Sequence, residues 1–354
     1  MARLNDDSLD EMMAMLKPRP AAGTARPANV PPHQQPQQQQ RRAPGPWEAA
    51  GGGPGARSQP VKAHRMPIAW PPASGSHADA NARHRQYMED ETLCLPDLAG
   101  GPVGALGEVA FYAVYDGHGG RTAVEYVRAQ LHRNICAELR AARGADVPGA
   151  LSRAVLRADA ALRPAGAYTA GTTAAMVLLA QRPGPVPGAA AGTTIFAANV
   201  GDSITLLVPR DSALPVVRLS EEHGGKNAQE SARIKAAGGT MAYGRVGGSL
   251  AVTRALGDHA LKADPSGRGL TAEPYVSERL LDPSTDLCLL IGSDGLWESL
   301  TDEQIGQIAR QALAEGGRGA AAAAQEAARR VVVAAMERGS RDNVSAVCVR
   351  LEPQ

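Results

Sequence analysis

The spacing of apolar and polar positions divides the chain into a sparse part and a dense part. Through residue 78 the pattern is broken by proline, glutamine and glycine ("PPHQQPQQQQRRAPGPWEAAGGGPGARSQP"). Too few apolar side chains remain there to build a core, so residues 1–78 read as a low-complexity, largely disordered tail. Within it, "DSLDEMMAML" sets Leu9, Met12, Met13 and Leu16 at helical spacing behind Asp and Ser caps. This predicts a short helix over 8–17, either transient or a docking helix for a partner.

From residue 79 to 354 the signals are dense. Seven apolar or aromatic residues, Val109 to Tyr115, predict a strand covered on both faces. "TAVEYVRAQLHRNICAEL" places Val124, Val127, Leu131, Ile135 and Leu139 on one helical face, and "GALSRAVLRADAALR" predicts a second helix. Two strands follow, "TAAMVLLA" and "TIFAANV", and "VGDS" then predicts a hairpin into "ITLLVPR" with Gly201 and Asp202 at its tip. A short helix closed by glycine ("AQESARIKAAGG"), a buried strand ("DLCLLIG") and a helix opened by a Thr301–Gln304 capping box come next. A long Ala-rich helix and a last strand, "VSAVCVRL", complete the pattern. Strands neighbour strands and helices neighbour helices, which speaks against a doubly wound parallel sheet. The fold class predicted is α+β, with strand-on-strand sheets and helices packed outside them.

Composition narrows the function. A net charge of +1 argues against a general nucleic-acid binder. No 18-residue apolar run and no secretory signal pattern is present, so no membrane role is expected. The four cysteines lie far apart without a C-x-x-C pair, which fits a reducing compartment, cytoplasmic and/or nuclear. None is followed by Arg six positions on, so a cysteine-nucleophile phosphatase loop is absent.

The candidate chemistry sits at strand ends. "FYAVYDGHGG" runs from a buried strand straight into an Asp, a His and glycines. By itself this is either a glycine turn with Asp116 as a cap, or a site where backbone must approach a metal or phosphate closely. The pattern recurs in "ANVGDS", "LLIGSDG" and "GSRDNVSAV", and "MEDET" precedes another strand-like run. Meeting at one sheet edge, Asp116, Asp202, Asp294 and Asp342 with Glu89 and Asp90 would repel one another unless divalent cations lay among them. Oxygen-only ligands select Mg²⁺ or Mn²⁺ over zinc. EF-hand spacing and H-E-x-x-H are both missing.

In order, "RQYMED", "YAVYDGHGG", "AGTTAAMVLL", "ANVGDS", "ESARIKAAGG", "RVGGSLAVTRALGD", "AEPYV", "LIGSDGLWESL" and "SRDNVSAV" strongly resemble the metal-dependent type-2C Ser/Thr protein phosphatases, the PPM family, over roughly residues 80–352. The resemblance implies a central β-sandwich of antiparallel sheets flanked by helices on both sides (α-β-β-α layers), with a metal centre at one end. It implies that Asp116 bridges two Mg²⁺ or Mn²⁺ ions and that the carbonyl of Gly117 is a ligand. Glu89 and Asp90 would lie at the cluster directly or through water, and Asp294 and Asp342 would complete one ion's shell. Asp202, whose plainer reading is an Asx turn, would belong to a third, weaker site. Arg85, in isolation a surface partner of Glu89 or Asp90, would grip the substrate phosphate, and His118 would be the general acid. The implied activity is hydrolysis of phosphoserine and phosphothreonine in phosphoprotein substrates by attack of a metal-bridging hydroxide, in a monomer. The rival reading is a catalytically silent scaffold of the same fold, whose usual mark is loss of the bridging Asp; Asp116 is present. Departures from the family pattern are Ala170 for Ser, Ile204 for a basic residue, Gly224 for Lys, Gly247 for Asn and Glu298 for Asp, and none removes a core ligand.

Overall fold

In the strand Glu108–His118 both faces are apolar and both are covered, because alternate residues point opposite ways. Val109, Phe111, Ala113 and Tyr115 enter one core, while Ala110, Tyr112 and Val114 enter a second. A strand with two such faces must lie between layers. The computed structural model describes residues 68–182, 192–315 and 319–353, so the helix expected over 8–17 lies outside the described residues.

In chain order the strands are β1 (Ser74–Asp79), β2 (Asp90–Leu95), β3 (Glu108–His118), β4 (Gly171–Thr172), β5 (Ala174–Arg182), β6 (Gly192–Val200), β7 (Ile204–Pro209), β8 (Val217–Arg218), β9 (Met241–Ala242), β10 (Arg245–Val246), β11 (Leu256–Gly257), β12 (Tyr275–Leu280), β13 (Asp286–Gly292) and β14 (Val344–Arg350). The helices are α1 (Thr122–Ala141), α2 (Val147–Leu162), α3 (Ala228–Ala236), α4 (His259–Ala263), α5 (Asp302–Glu315) and α6 (Ala320–Glu337). Two sheets form the sandwich: the smaller runs β1-β14-β13-β7-β8 and the larger runs β11-β4-β3-β5-β6-β12 with β2 also paired to β3, while β9 and β10 pair apart from both. Every pairing within them is antiparallel.

Three cores separate four layers. Val124, Val127, Leu131, Ile135 and Leu139 of α1 pack with α2 on the outer face of the larger sheet. Ala175, Val177, Leu207, Leu289, Ile291 and Val347 fill the space between the sheets. Ile305, Ala309, Val331 and Val332 of α5 and α6 close the far face of the smaller sheet. The order α-β-β-α is thus the one the family resemblance implies.

Two expectations need correction. The folded region begins before residue 79: β1 pairs with β14 from Ser74 onward. Its sequence, "SGSHAD", has no apolar pattern because α6 lies on it through a polar clamp. Ser76 N donates to Gln325 Oε1 at 3.0 Å, Gln325 Nε2 donates back to Ser76 O at 2.5 Å, and a Cβ on Gly75 would meet the Gln325 Cα at 2.3 Å. The hairpin expected at Gly201–Asp202 is also absent. β6 pairs with β5 and β12 while β7 pairs with β13 and β8, so "GDS" carries the chain from one sheet to the other. Gly201, at φ +96°, permits the sharp turn in either case, and the strands' partners decide between them.

Candidate metal centre

Strand ends from both sheets deliver acidic residues to the same end of the sandwich. β3 ends through Asp116, Gly117 and His118, and β2 starts at Asp90, directly opposite Asp116. From the smaller sheet, β13 leads into Ser293 and Asp294, Asp342 stands just before β14, and Asp202 sits on the crossing from β6 to β7. A cleft of about 510 Å³ gathers Arg85, Glu89, Asp116, Gly117, His118, Asp202, Asp294 and Asp342. Among the residues expected at the site, Asp90 alone lies beneath the cleft instead of on its wall. It is 3% exposed and accepts from Ser293 Oγ at 2.7 Å.

Backbone contacts fix the lining. Gly117 N donates to Glu89 O at 3.1 Å, and a Cβ on Gly117 would come within 2.6 Å of that oxygen, so only glycine fits. Glu89 Oε1 accepts from Gly120 N at 2.7 Å. Asn343 Oδ1 accepts from Glu89 N at 2.8 Å while its Nδ2 donates to Ala80 O and Tyr87 O, tying the Arg85–Glu89 loop to the start of β14. Thr173 Oγ1 accepts from Asp116 N at 3.1 Å. Arg85 does not pair with Glu89 or Asp90. Its Nη2 meets Asp342 Oδ2 and its Nε donates to Arg341 O at 3.3 Å, while Nη1 makes no hydrogen bond among the described residues.

The electrostatics are those of crowded, desolvated carboxylates. Burial first, then neighbouring Asp294 and Asp342, push Asp90 up to about 7. Burial and the charges of Asp90 and Asp294 hold Asp116 well above the usual carboxylate range. Burial and Asp294 take Asp202 to about 7, and burial and Asp342 take Asp294 to about 6. Asp342 also moves up, chiefly by burial, with Arg85 opposing. Asp294 Oδ1 is buried without a hydrogen-bond partner. Among the described residues no three His, Cys, Asp or Glu side chains already converge as a closed cage. The donor set is nonetheless all oxygen, acidic and short of positive charge, and it fits hard divalent cations.

His118 has a partner that sequence reasoning did not assign. Its Nε2 lies 2.8 Å from Asp258 Oδ2, a contact across 140 residues of sequence. Burial by itself lowers the imidazole pKa, but the hydrogen bond and charge of Asp258 outweigh it, and the net shift is upward. Asp258 stands just after β11 at φ +51°, held by its N–H to Ala170 O at 3.0 Å. Gly171 makes room for the pair, since a Cβ there would lie 2.2 Å from Asp258 Oδ2 and 2.4 Å from His118 Nε2. "RALGD" held this residue in the sequence, but only the β4–β11 pairing brings it to β3.

The departures have local explanations in three cases. Glu298 uses its extra methylene to reach Ser340 Oγ at 3.2 Å and Arg341 N at 2.7 Å, so it braces the Asp342 segment. Ile204 is 2% exposed in the core under α5 and α6. Gly247 adopts φ +59°, the left-handed region that asparagine also tolerates. Nothing in the structure explains Ala170 or Gly224.

Together the four-layer fold and an acidic, all-oxygen cleft at one end of it fit a centre for hard divalent cations. The family model described as Protein phosphatase 2C matches residues 74–344, and the chain belongs to that family of metal-dependent Ser/Thr protein phosphatases. It is 30% identical over 279 residues to Protein phosphatase 2C homolog 1 of Schizosaccharomyces pombe, covering 78% of this chain and 73% of the relative. It is 33% identical over 286 residues to Probable protein phosphatase 2C 54 of Oryza sativa subsp. japonica, covering 78% and 72%. The fold also matches the crystal structure of a serine-threonine phosphatase 2C from Toxoplasma gondii, with TM-score 0.64 and 21% identity, over 81% of this chain and 98% of the other.

Proposed function

We propose that this cleft hydrolyses phosphoserine and phosphothreonine in phosphoprotein substrates, with Mg²⁺ or Mn²⁺ held by Asp116, the Gly117 carbonyl, Asp294 and Asp342. Glu89 and Asp90 hold the same ions directly or through water. What supports this most is Asp294 Oδ1, a buried acceptor without a partner amid crowded carboxylates whose mutual repulsion a cation would relieve. Two bound divalent ions supply an activated water and polarise the phosphoryl oxygens. Asp202 faces the same cleft and is the residue for a third ion; Glu298 lines that cleft too, with its Oε2 bonded to Ser340 and Arg341.

The chain's own groups do the rest. Arg85, braced by Asp342 and by Arg341 O, presents its remaining guanidinium edge to the cleft as a planar grip for non-bridging phosphate oxygens. His118, with Nε2 turned to Asp258, has Nδ1 for the leaving serine or threonine oxygen. Proton donation to that oxygen contributes typically about 10²–10⁴-fold.

The test is phosphate release from a phosphothreonine peptide by the full chain, in EDTA and after Mn²⁺ or Mg²⁺ is restored, beside Asp116→Ala. Release that needs metal and disappears in the variant is expected. Metal binding with no release from any of several phosphopeptides would replace the enzyme with a scaffold.

A further inference from the structure

At the opposite end of the smaller sheet, about 20 Å away along the seven residues of β13, lies a larger cavity that catalysis does not use. It measures about 770 Å³ and is walled by α5, the segment after β7, and the ends of β13 and β14. Three arginines from three elements meet there: Arg210 after β7, Arg310 on α5 and Arg350 at the end of β14. Glu303 is the one carboxylate on the wall, and its Oε1 is turned to Val216 N at 2.9 Å.

The three arginines are neutralised unequally. Arg210 donates to two backbone carbonyls, Pro283 O at 3.0 Å and Leu351 O, and Arg310 to Pro209 O at 3.4 Å. Neither forms an ion pair among the described residues. Arg350 pairs with Glu352 at 2.5 Å, yet its Nε is buried with no acceptor. A guanidinium is always charged, and a buried donor left without a partner is costly. Carbonyl anchors fix the forks without discharging them, which is the preorganisation that oxyanion recognition requires. Ser212 and Gln307 add neutral donors, Gln311 Nε2 is turned to Glu315 Oε1 at 2.8 Å, and Leu287, Leu313 and Ala314 give the cavity an apolar wall.

We propose that this cavity is a second phosphate-recognition site, which binds a phosphorylated peptide segment without hydrolysing it. A phosphoryl group is the oxyanion that matches several guanidinium forks at once. The cavity is far larger than one phosphate, and its apolar wall suits the chain that carries the group. No cluster of acidic residues lines it, so a phosphate docked there meets no hydrolytic machinery. Binding needs no turnover at the carboxylate cleft, so the two readings fail separately.

The experiment is calorimetric titration of the full chain, kept in EDTA so that substrate survives, with a phosphoserine peptide, its unphosphorylated counterpart and inorganic phosphate. Arg310→Gln, which removes one fork with a single weak backbone contact, and Gln307→Glu, which adds a negative charge without removing an anchor, are each expected to weaken phosphopeptide binding tenfold or more. Arg85→Ala, at the other end of the molecule, is expected to leave that binding within twofold. Equal binding of the unphosphorylated peptide, equal binding of inorganic phosphate, or a loss that follows Arg85→Ala and not the distal variants would each overturn the assignment.

Discussion

At the scale of single residues, the pairing of His118 with Asp258 gives the sharpest prediction. A proton donor matters most for a poor leaving group. Asp258→Asn should therefore lower kcat for a phosphothreonine peptide about 10²-fold, and for p-nitrophenyl phosphate, whose phenolate leaves unaided, about threefold or less. Equal losses on both substrates would show that Asp258 only supports the loop. Gly171→Ala tests the same pair by sterics, since its Cβ would sit inside both side chains, and kcat should fall on the same substrate pattern. That the acids of this site would gather in one cleft was largely legible in advance. Asp116, Asp294, Asp342 and Glu89 announce themselves as acids at the ends of apolar runs, a purely local signal. Asp258 does not, because its meaning comes from a partner 140 residues away. Arg85 was visible as a cation near acids, but its partner is Asp342 and not the neighbouring Glu89, since Asn343 holds Glu89's backbone to the start of β14.

At the scale of elements, local chemistry that stays local was read correctly. The capping box of α5 is present in both directions, Thr301 N to Gln304 Oε1 at 3.0 Å and Gln304 N to Thr301 Oγ1 at 3.3 Å. Thr301→Ala should cost about 1 kcal/mol in urea unfolding, with kcat unchanged. β1 was missed because its contacts with α6 are polar and its neighbour is 249 residues distant. Gly75→Val should destabilise the chain by about 1–3 kcal/mol by forcing α6 away from the sheet, and no change in urea midpoint would contradict that packing. A third element, α3, is pinned by Glu230. Burial alone would raise its carboxyl, but hydrogen bonds from Arg233, Arg254 and Thr253 outweigh burial and hold it well below the ordinary range. A depressed folded pKa adds stability that is complete above the unfolded value, about 4.3, and is lost as pH falls through the folded one. Glu230→Gln should therefore be less stable than the parent at pH 7, with the gap closing in acid. A gap independent of pH would remove Glu230's charge from the account.

At the scale of the molecule, the crossing at Gly201–Asp202 takes on meaning. Sequence alone read it as a hairpin because the same residues make either turn. As a crossing, it places one acid on the joint between the two sheets, while Asp116 belongs to one sheet and Asp294 and Asp342 to the other. Ions held among them, as proposed, would bind the folded state alone and should stabilise it by about 2.7 kcal/mol at a hundredfold excess over Kd. The melting temperature should drop in EDTA and recover with Mn²⁺, with amide exchange rising first at the strand ends of both sheets. The consequence reaches beyond turnover. Metal supply would set how much of this enzyme survives quality control as well as how fast each copy works, and a cell short of the ion would lose activity twice.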